Sequence, residues 1–141
     1  MAAGYSGTPL AKKLGIAEGT TVAVLGAPDG FTTTLGETLP NDVVIRRRAT
    51  GTNDVVVSFH IRARHLEQRV DALIGVLDVD GGLWIAWPKR ASGVPTDMTE
   101  DVVRDVFLPL GLVDNKVCAI DGTWSGLRVV WRKERRAERR R

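Results

Sequence analysis

The residues best suited to bind a ligand lie in one loop near position 90. Lys89 and Arg90 are followed closely by Ser92 and Gly93. Two cationic side chains and small residues in one loop can hold a phosphate or a carboxylate, and the N-terminus of a following helix would add positive charge. Acidic residues at that helix start oppose the attraction. The alternative is an ordinary surface loop that leads into a capped helix.

Two other groups could bind a ligand or move a proton. Asp29–Gly30 could present a carboxylate to a ribose or a cation, although this pair is most often a simple turn. His60 ends an apolar run and could act as a general base. The only other histidine, His65, follows five residues later, which is not a metal-ligand spacing. We therefore expect His60 to be hydrogen-bonded or exposed, and we assign no metal site and no catalytic residue.

The tryptophans offer stacking surfaces or core packing. Trp84 and Trp87 are three residues apart on one predicted strand, so they point to opposite faces of the sheet. Trp87 or Trp124 could stack on a ligand at the mouth of a cleft, and the alternative is a core role for both. The candidate ligand-binding residues are Asp29, Gly30, His60, Trp87, Lys89, Ser92, Thr96, Asp97 and Trp124.

Hydrophobic periodicity predicts the elements that position these residues. A helical repeat runs from Leu66 to Leu77, and a second helix follows a Thr99 cap. Asp80–Gly82 and Asp121–Gly122 are predicted turns. The predicted strands span 21–26, 43–47, 54–59, 83–87, 113–120 and 123–131.

Strands that alternate with helices favour parallel βα units with right-handed crossovers. We predict an α/β fold, a shortened doubly wound and mostly parallel sheet of about six strands that ends in an antiparallel hairpin. In such sheets ligands bind beyond the carboxyl ends of the strands. Segments 26–30, 59–60, 87–97 and 121–125 should meet at that edge.

This order of elements resembles a shortened, Rossmann-like class I methyltransferase fold. The resemblance implies a Gly-x-Gly-x-Gly cofactor loop after strand one and an acid after strand two that holds ribose hydroxyls. The chain instead has Gly26-Ala-Pro-Asp-Gly30 and Arg46-Arg-Arg48 at these places. Pro28 also lacks an N–H group that could serve a ligand. We therefore expect no cofactor, and we do not expect ordinary S-adenosylmethionine-dependent catalysis.

A second resemblance rests on three motifs. YSGTPLAKKLGI (Tyr5–Ile16), LWIAWPK (Leu83–Lys89) and SGVPTD (Ser92–Asp97) are similar to a small bacterial family of unknown function. This resemblance implies no activity.

The charge of the chain is concentrated at its C-terminus. The net charge is +3, but residues 132–141 carry +5 and the remainder −2. We interpret residues 1–131 as one α/β domain and residues 132–141 as a basic tail that could bind nucleic acid or an acidic protein. The alternative is a tail that is only solvated. The basic residues are Arg132, Lys133, Arg135, Arg136, Arg139, Arg140 and Arg141.

The remaining features favour a protein of the cytoplasm. No apolar run is long enough to span a membrane, so we expect no membrane association, and the single Cys118 excludes an internal disulfide. We expect a non-catalytic binding or regulatory domain that acts through a macromolecular partner. The alternatives are a small-molecule or nucleotide-binding protein, or an unfamiliar enzyme, that uses the cleft at the strand ends, or a subunit of a larger assembly. The oligomeric state is not predicted.

Overall fold

The computed structural model describes residues 8–140, and these form a six-stranded sheet between two layers of helices. The strand order is β2-β1-β3-β4-β6-β5. The first four strands along the sheet pair in parallel, and β6 runs antiparallel to both of its neighbours. The fold class predicted from the sequence is confirmed. The strands are β1 (Thr21–Leu25), β2 (Val44–Arg46), β3 (Asn53–Phe59), β4 (Leu77–Pro88), β5 (Leu112–Ala119) and β6 (Trp124–Trp131).

The helices divide between the two faces of the sheet. One core lies under α3 and α4 and contains Leu66 and Phe107. The other lies under α1 and α2 and contains Leu14 and Phe31. Trp84 and Trp87 fall in different cores, as their spacing predicts. The helices are α1 (Leu10–Lys13), α2 (Phe31–Gly36), α3 (Ala63–Gly75), α4 (Glu100–Phe107) and α5 (Lys133–Arg139).

The central strands are apolar on both faces because both faces are covered. Val55 and Val57 point into one core and Val56 into the other. A run of β-branched residues suits this position, since each side chain is buried whichever way it points. Thr99 begins α4 as predicted, and its hydroxyl accepts a hydrogen bond from the Val102 N–H at 3.1 Å.

The start of β4 differs from the prediction. The helical repeat ends at Gly75, and Leu77 already pairs with Asn53 on β3. The predicted turn at Asp80–Gly82 lies inside the strand, where the register shifts before Gly82 pairs with Val55. Gly81 permits a close approach of two backbones, because a Cβ at this position would lie 2.6 Å from the Asp54 carbonyl oxygen.

This close approach makes a testable prediction for stability. Gly81→Ala should lower the free energy of unfolding by about 1–3 kcal/mol, since the backbones must move apart. The matched control is Gly75→Ala, where nothing lies within 4 Å of an added Cβ on the helix. That change should be neutral or stabilise by about 0.5–1 kcal/mol. Urea unfolding of both variants measures the difference, and equal effects would contradict the role of Gly81.

The basic C-terminal segment forms α5, which packs against the amino-end side of the sheet. The Arg139 guanidinium lies 4.2 Å from the centre of the Trp131 ring, and Arg136 Nε donates to the Trp131 carbonyl at 2.9 Å. Arg140 forms an ion pair with Asp80 of β4. Arg132, Lys133 and Arg135 are exposed, and Arg141 lies outside the described residues, as do Tyr5–Gly7 of the first motif. Binding of nucleic acid or an acidic partner by this segment stays a prediction.

Within residues 8–140, no helix combines the length and the apolar character that a membrane crossing requires.

Candidate functional site

The four segments predicted to meet at the carboxyl edge of the sheet lie around three cavities there. Each cavity is named here for one residue. The Gly26 pocket has a volume of about 440 Å³, the Asp29 pocket about 290 Å³ and the Lys89 pocket about 490 Å³. Pro28 lines both the Gly26 pocket and the Asp29 pocket, so these two adjoin.

The Gly26 pocket lies between the loop after β1 and the β3–α3 junction. Gly26 is left-handed, with φ of +67°, and a Cβ there would come within 3.4 Å of the Phe59 carbonyl oxygen. The positive φ favours glycine at this position, which lies beside the backbone of β3. The lining residues are Gly26, Pro28, Phe59, Ile61, Arg62, His65 and Trp124.

The Asp29 pocket lies on the other side of Pro28. Gly30 is left-handed, with φ of +84°, and begins α2 with open space around its Cα. Asp29 is exposed, and among residues 8–140 it has no hydrogen bond or ion pair. Asp121, on the opposite wall, is already engaged, because its Oδ1 accepts the N–H groups of Thr123 and Trp124, both at 2.8 Å. The free carboxylate of this pocket is therefore that of Asp29, within the described part of the chain.

The aromatic rings at this edge pack against one another. The Phe59 ring meets Phe31 at 4.8 Å between centroids and Trp124 at 5.1 Å, both edge to face. All three side chains are buried. Trp124 thus serves the core and also forms part of the wall of the Gly26 pocket.

The Lys89 pocket contains the loop that the sequence singled out. Trp87, Lys89 and Thr96 line it, together with Ser125 from β6 and the acidic Glu100. Trp87 is buried. The pocket therefore contains a carboxylate at the start of α4 as well as a lysine and is not purely cationic.

Three candidate residues of this loop form hydrogen bonds within the protein. The Ser92 hydroxyl donates to the Lys89 carbonyl at 2.6 Å. The Thr96 hydroxyl donates to the Ile61 carbonyl, and Asp97 Oδ1 accepts the Ala63 N–H at 2.8 Å. Asp97 thus caps α3 from a distant segment. Thr96 and Asp97 fasten the loop to the β3–α3 junction, and ligand binding by all three residues stays a prediction.

The two histidines meet at the end of β3. Nδ1 of His60 lies 2.9 Å from Nδ1 of His65, and Nε2 of His60 lies 2.6 Å from the Ser58 hydroxyl oxygen. His60 is 2% exposed, whereas His65 is exposed and lines the Gly26 pocket. Burial lowers the pKa of His60 from 6.5 to about 4, and the charges of His65 and Arg69 add to the shift. His60 is therefore neutral at neutral pH.

The side chain of Arg46, the last residue of β2, is held by hydrogen bonds within the protein. Arg46 Nη1 donates to the Thr50 carbonyl and to Asn53 Oδ1, both at 3.3 Å. Asn53 begins β3, so the Arg46 side chain is fastened to the connection that returns to the amino end of the sheet. Among residues 8–140, no group of three or more His, Cys, Asp or Glu side chains could hold a metal ion.

Sequence reasoning placed the right segments at this edge but missed three side chains. These are His65, whose spacing from His60 is not that of metal ligands, Arg62, which belongs to no motif, and Ser58, which lies in a buried strand. The signal available was the pair of histidines on either side of a strand–helix junction. That junction brings them together, because the chain turns at Ile61–Arg62 before α3 begins.

Solved structures similar to this chain include methyltransferases. A SAM-dependent methyltransferase from Aquifex aeolicus is 17% identical with a TM-score of 0.59, covering 85% of this chain and 86% of that one. Aeropyrum pernix fibrillarin with natively bound S-adenosyl-L-methionine is 15% identical with a TM-score of 0.57, covering 90% and 70%. Magnesium protoporphyrin IX methyltransferase from Synechocystis PCC 6803 with bound SAH is 11% identical with a TM-score of 0.56, covering 82% and 75%.

These likenesses establish the methyltransferase-like fold of the chain. No protein-family model and no curated protein matches the sequence, so the resemblance to a small bacterial family gains no support. The expectation of a non-catalytic binding or regulatory domain was wrong, because the structural neighbours are S-adenosylmethionine-dependent methyltransferases. That expectation gave too much weight to the altered loop and the missing acid.

Proposed function

We propose that this chain is an S-adenosylmethionine-dependent methyltransferase that holds its methyl donor with residues of the Gly26 and Asp29 pockets. The observation that carries the proposal is the pair of adjoining cavities around two left-handed glycines at the carboxyl edge of the sheet. Ligands of open α/β sheets bind at this edge. The volumes also fall in the range of about 300–1,000 Å³ that is typical of small-molecule sites, or just below it.

The residues of the Gly26 pocket suit the amino-acid end of the donor. Arg62 lines the pocket and could pair with a carboxylate. The aromatic rings of Phe59 and Trp124 offer surfaces that attract a cation such as a sulfonium. Gly26 adopts a left-handed conformation that residues with a Cβ rarely take, so this wall of the pocket is bare backbone.

The Asp29 pocket suits the ribose. A carboxylate that accepts two ribose hydroxyls is the usual solution in nucleoside sites, and strand β2 of this chain ends in arginines instead. Asp29 supplies a carboxylate at the same edge, from the loop after β1. We therefore assign to Asp29 the role that an acid after β2 plays in the resembling family.

The bound donor supplies an electrophilic methyl group on a sulfonium, which becomes a neutral thioether after transfer. The protein needs to bind the donor and an acceptor side by side, exclude water and accept a proton. The buried aromatic row at Phe31, Phe59 and Trp124 gives a rigid, water-poor wall. His65 lies in the wall of the same pocket and is exposed, so it can exchange protons with solvent.

Asp29→Asn provides the test. Loss of the charged acceptor should weaken binding of S-adenosylmethionine by about tenfold or more, measured by titration calorimetry on the full chain. Glu37→Gln is the matched control, since it removes the same charge from an exposed residue at the far end of α2. The control should bind within twofold of the unaltered protein. Equal affinities for all three proteins would contradict the assignment, and absence of binding by the unaltered protein would overturn the proposed function.

A further inference from the structure

Ser58, His60 and His65 form a continuous hydrogen-bonded chain from the interior to the Gly26 pocket. The contacts are 2.6 Å from the Ser58 hydroxyl to His60 Nε2 and 2.9 Å between the two Nδ1 atoms. Ser58 and His60 are each 2% exposed, and the hydrogen-bonded chain reaches solvent at His65. Neither the fold nor the binding of a donor requires this arrangement.

The chemistry of the imidazoles limits how the protons can be placed. One of the two facing Nδ1 atoms must donate and the other must accept. If His65 takes up a proton, both of its nitrogens become donors, so His60 must accept at Nδ1 and carry its own proton on Nε2, toward Ser58. Because burial keeps the pKa of His60 at about 4, His60 stays neutral and can play this part. Nε2 of His65 is then the nitrogen that a ligand can reach.

We propose that His65 is a general base for an acceptor with a phenolic hydroxyl, that His60 is its positioning residue, and that the Ser58 hydroxyl accepts the Nε2 proton of His60. This inference rests on the proposed function. The proton of the acceptor hydroxyl passes to His65 Nε2, the oxygen's electron pair forms the new bond to the methyl carbon as the bond from that carbon to sulfur breaks, and the proton leaves His65 for solvent. No further reactant is needed.

The surroundings favour a phenol over an aliphatic alcohol. A phenol has a pKa near 10, close enough for an imidazole to assist its ionisation, whereas an aliphatic hydroxyl is a far weaker acid. Phe59, Ile61 and Trp124 give the pocket an apolar wall that suits an aromatic ring. The charged groups that face the histidines are Arg69 from α3, whose charge helps to lower the pKa of His60, and Arg62, which lines the same pocket as His65.

The proposal predicts a tautomer that nitrogen NMR can read without any substrate. The chain has two histidines, so the four ring nitrogens can be assigned without ambiguity. At pH 7.5 we expect His65 to carry its proton on Nδ1 and to leave Nε2 bare, and His60 to carry its proton on Nε2. His60→Ala should return His65 to the Nε2–H form usual in water, whereas Arg64→Ala, an exposed neighbour on α3, should change nothing. A proton on Nε2 of His65 in the unaltered protein would overturn the proposal.

An activity measurement distinguishes this inference from the proposed function. His65→Ala should still bind S-adenosylmethionine measurably but should methylate 4-methylphenol about 10²–10⁴-fold more slowly. His60→Ala should lower the rate and shift its pH profile, and Arg64→Ala should do neither. Binding without any turnover of phenols by the unaltered protein, or full activity in His65→Ala, would refute the inference and leave donor binding intact. Failure of donor binding would refute the proposed function itself.

Discussion

Replacing Trp84 by alanine is expected to lower the free energy of unfolding by about 3–5 kcal/mol. Trp84 has no exposed surface and is the largest fully buried side chain of the core under α1 and α2. Its indole Nε1 donates to the Leu14 carbonyl at 2.9 Å, across 70 positions of sequence. The truncation would open a cavity beneath the layer that carries the Gly26 loop and leave a buried carbonyl unpaired.

Two further variants separate the causes of this effect. Trp84→Phe keeps much of the ring but loses the hydrogen bond, so its cost should be intermediate. Val117→Ala, on the exposed part of β5, should change stability by less than about 0.5 kcal/mol. Urea unfolding of the three variants measures the series. A loss below about 1 kcal/mol for Trp84→Ala would contradict the packing described here.

Acidification should destabilise the protein through His60. In the unfolded chain the pKa of this imidazole is 6.5, and in the folded protein it is about 4. Because the unfolded chain binds a proton that the folded protein does not, stability is complete above pH 6.5 and falls as the pH drops toward 4. The difference corresponds to about 3 kcal/mol, lost over this interval.

Comparison with His60→Asn isolates this contribution. The variant is less stable at neutral pH, but it lacks the imidazole and should show a shallower fall in stability between pH 6.5 and pH 4.5. Carboxylates titrate in both proteins and cancel in the difference. Urea unfolding at four or five pH values in this interval supplies the curves. Parallel curves for the two proteins would show that His60 binds its proton equally well in both states.

The fold was predictable because its elements follow simple repeats. The valine run before Ser58 and the apolar stripe of α3 identify buried strand and helix from their spacing alone. The start of β4 was not predictable in the same way. The residue types of Asp80–Gly82 predict a turn. Gly81 instead lies against the backbone of β3, and this contact involves a strand more than 20 residues away in the sequence.

The site was predictable only to the level of segments. Parallel topology placed residues 26–30, 59–60, 87–97 and 121–125 at one edge, since the carboxyl ends of parallel strands share it. The partners of individual side chains were not visible, because they come from distant positions. Asp97 caps α3 at Ala63, and Thr96 bonds to the Ile61 carbonyl, although both read as ligand candidates in their loop.

The altered loop after β1 led to the largest misinterpretation. Pro28 and the arginines after β2 suggested the loss of a cofactor site. In three dimensions Pro28 separates two adjoining pockets, and Asp29 presents a carboxylate at the edge from which an acid seemed to be missing. Sequence position alone could not show that the loop after β1 presents an exposed carboxylate at this edge of the sheet.

The proposed function depends above all on the binding of a methyl donor around Pro28. The most direct measurement is an amide NMR titration of the full chain with S-adenosylhomocysteine, the product form of the donor. We expect saturable shifts at Gly26, Asp29, Gly30 and Arg62, with a dissociation constant between about 1 μM and 1 mM. Shifts confined to the Lys89 pocket, or no shifts at millimolar ligand, would contradict the claim.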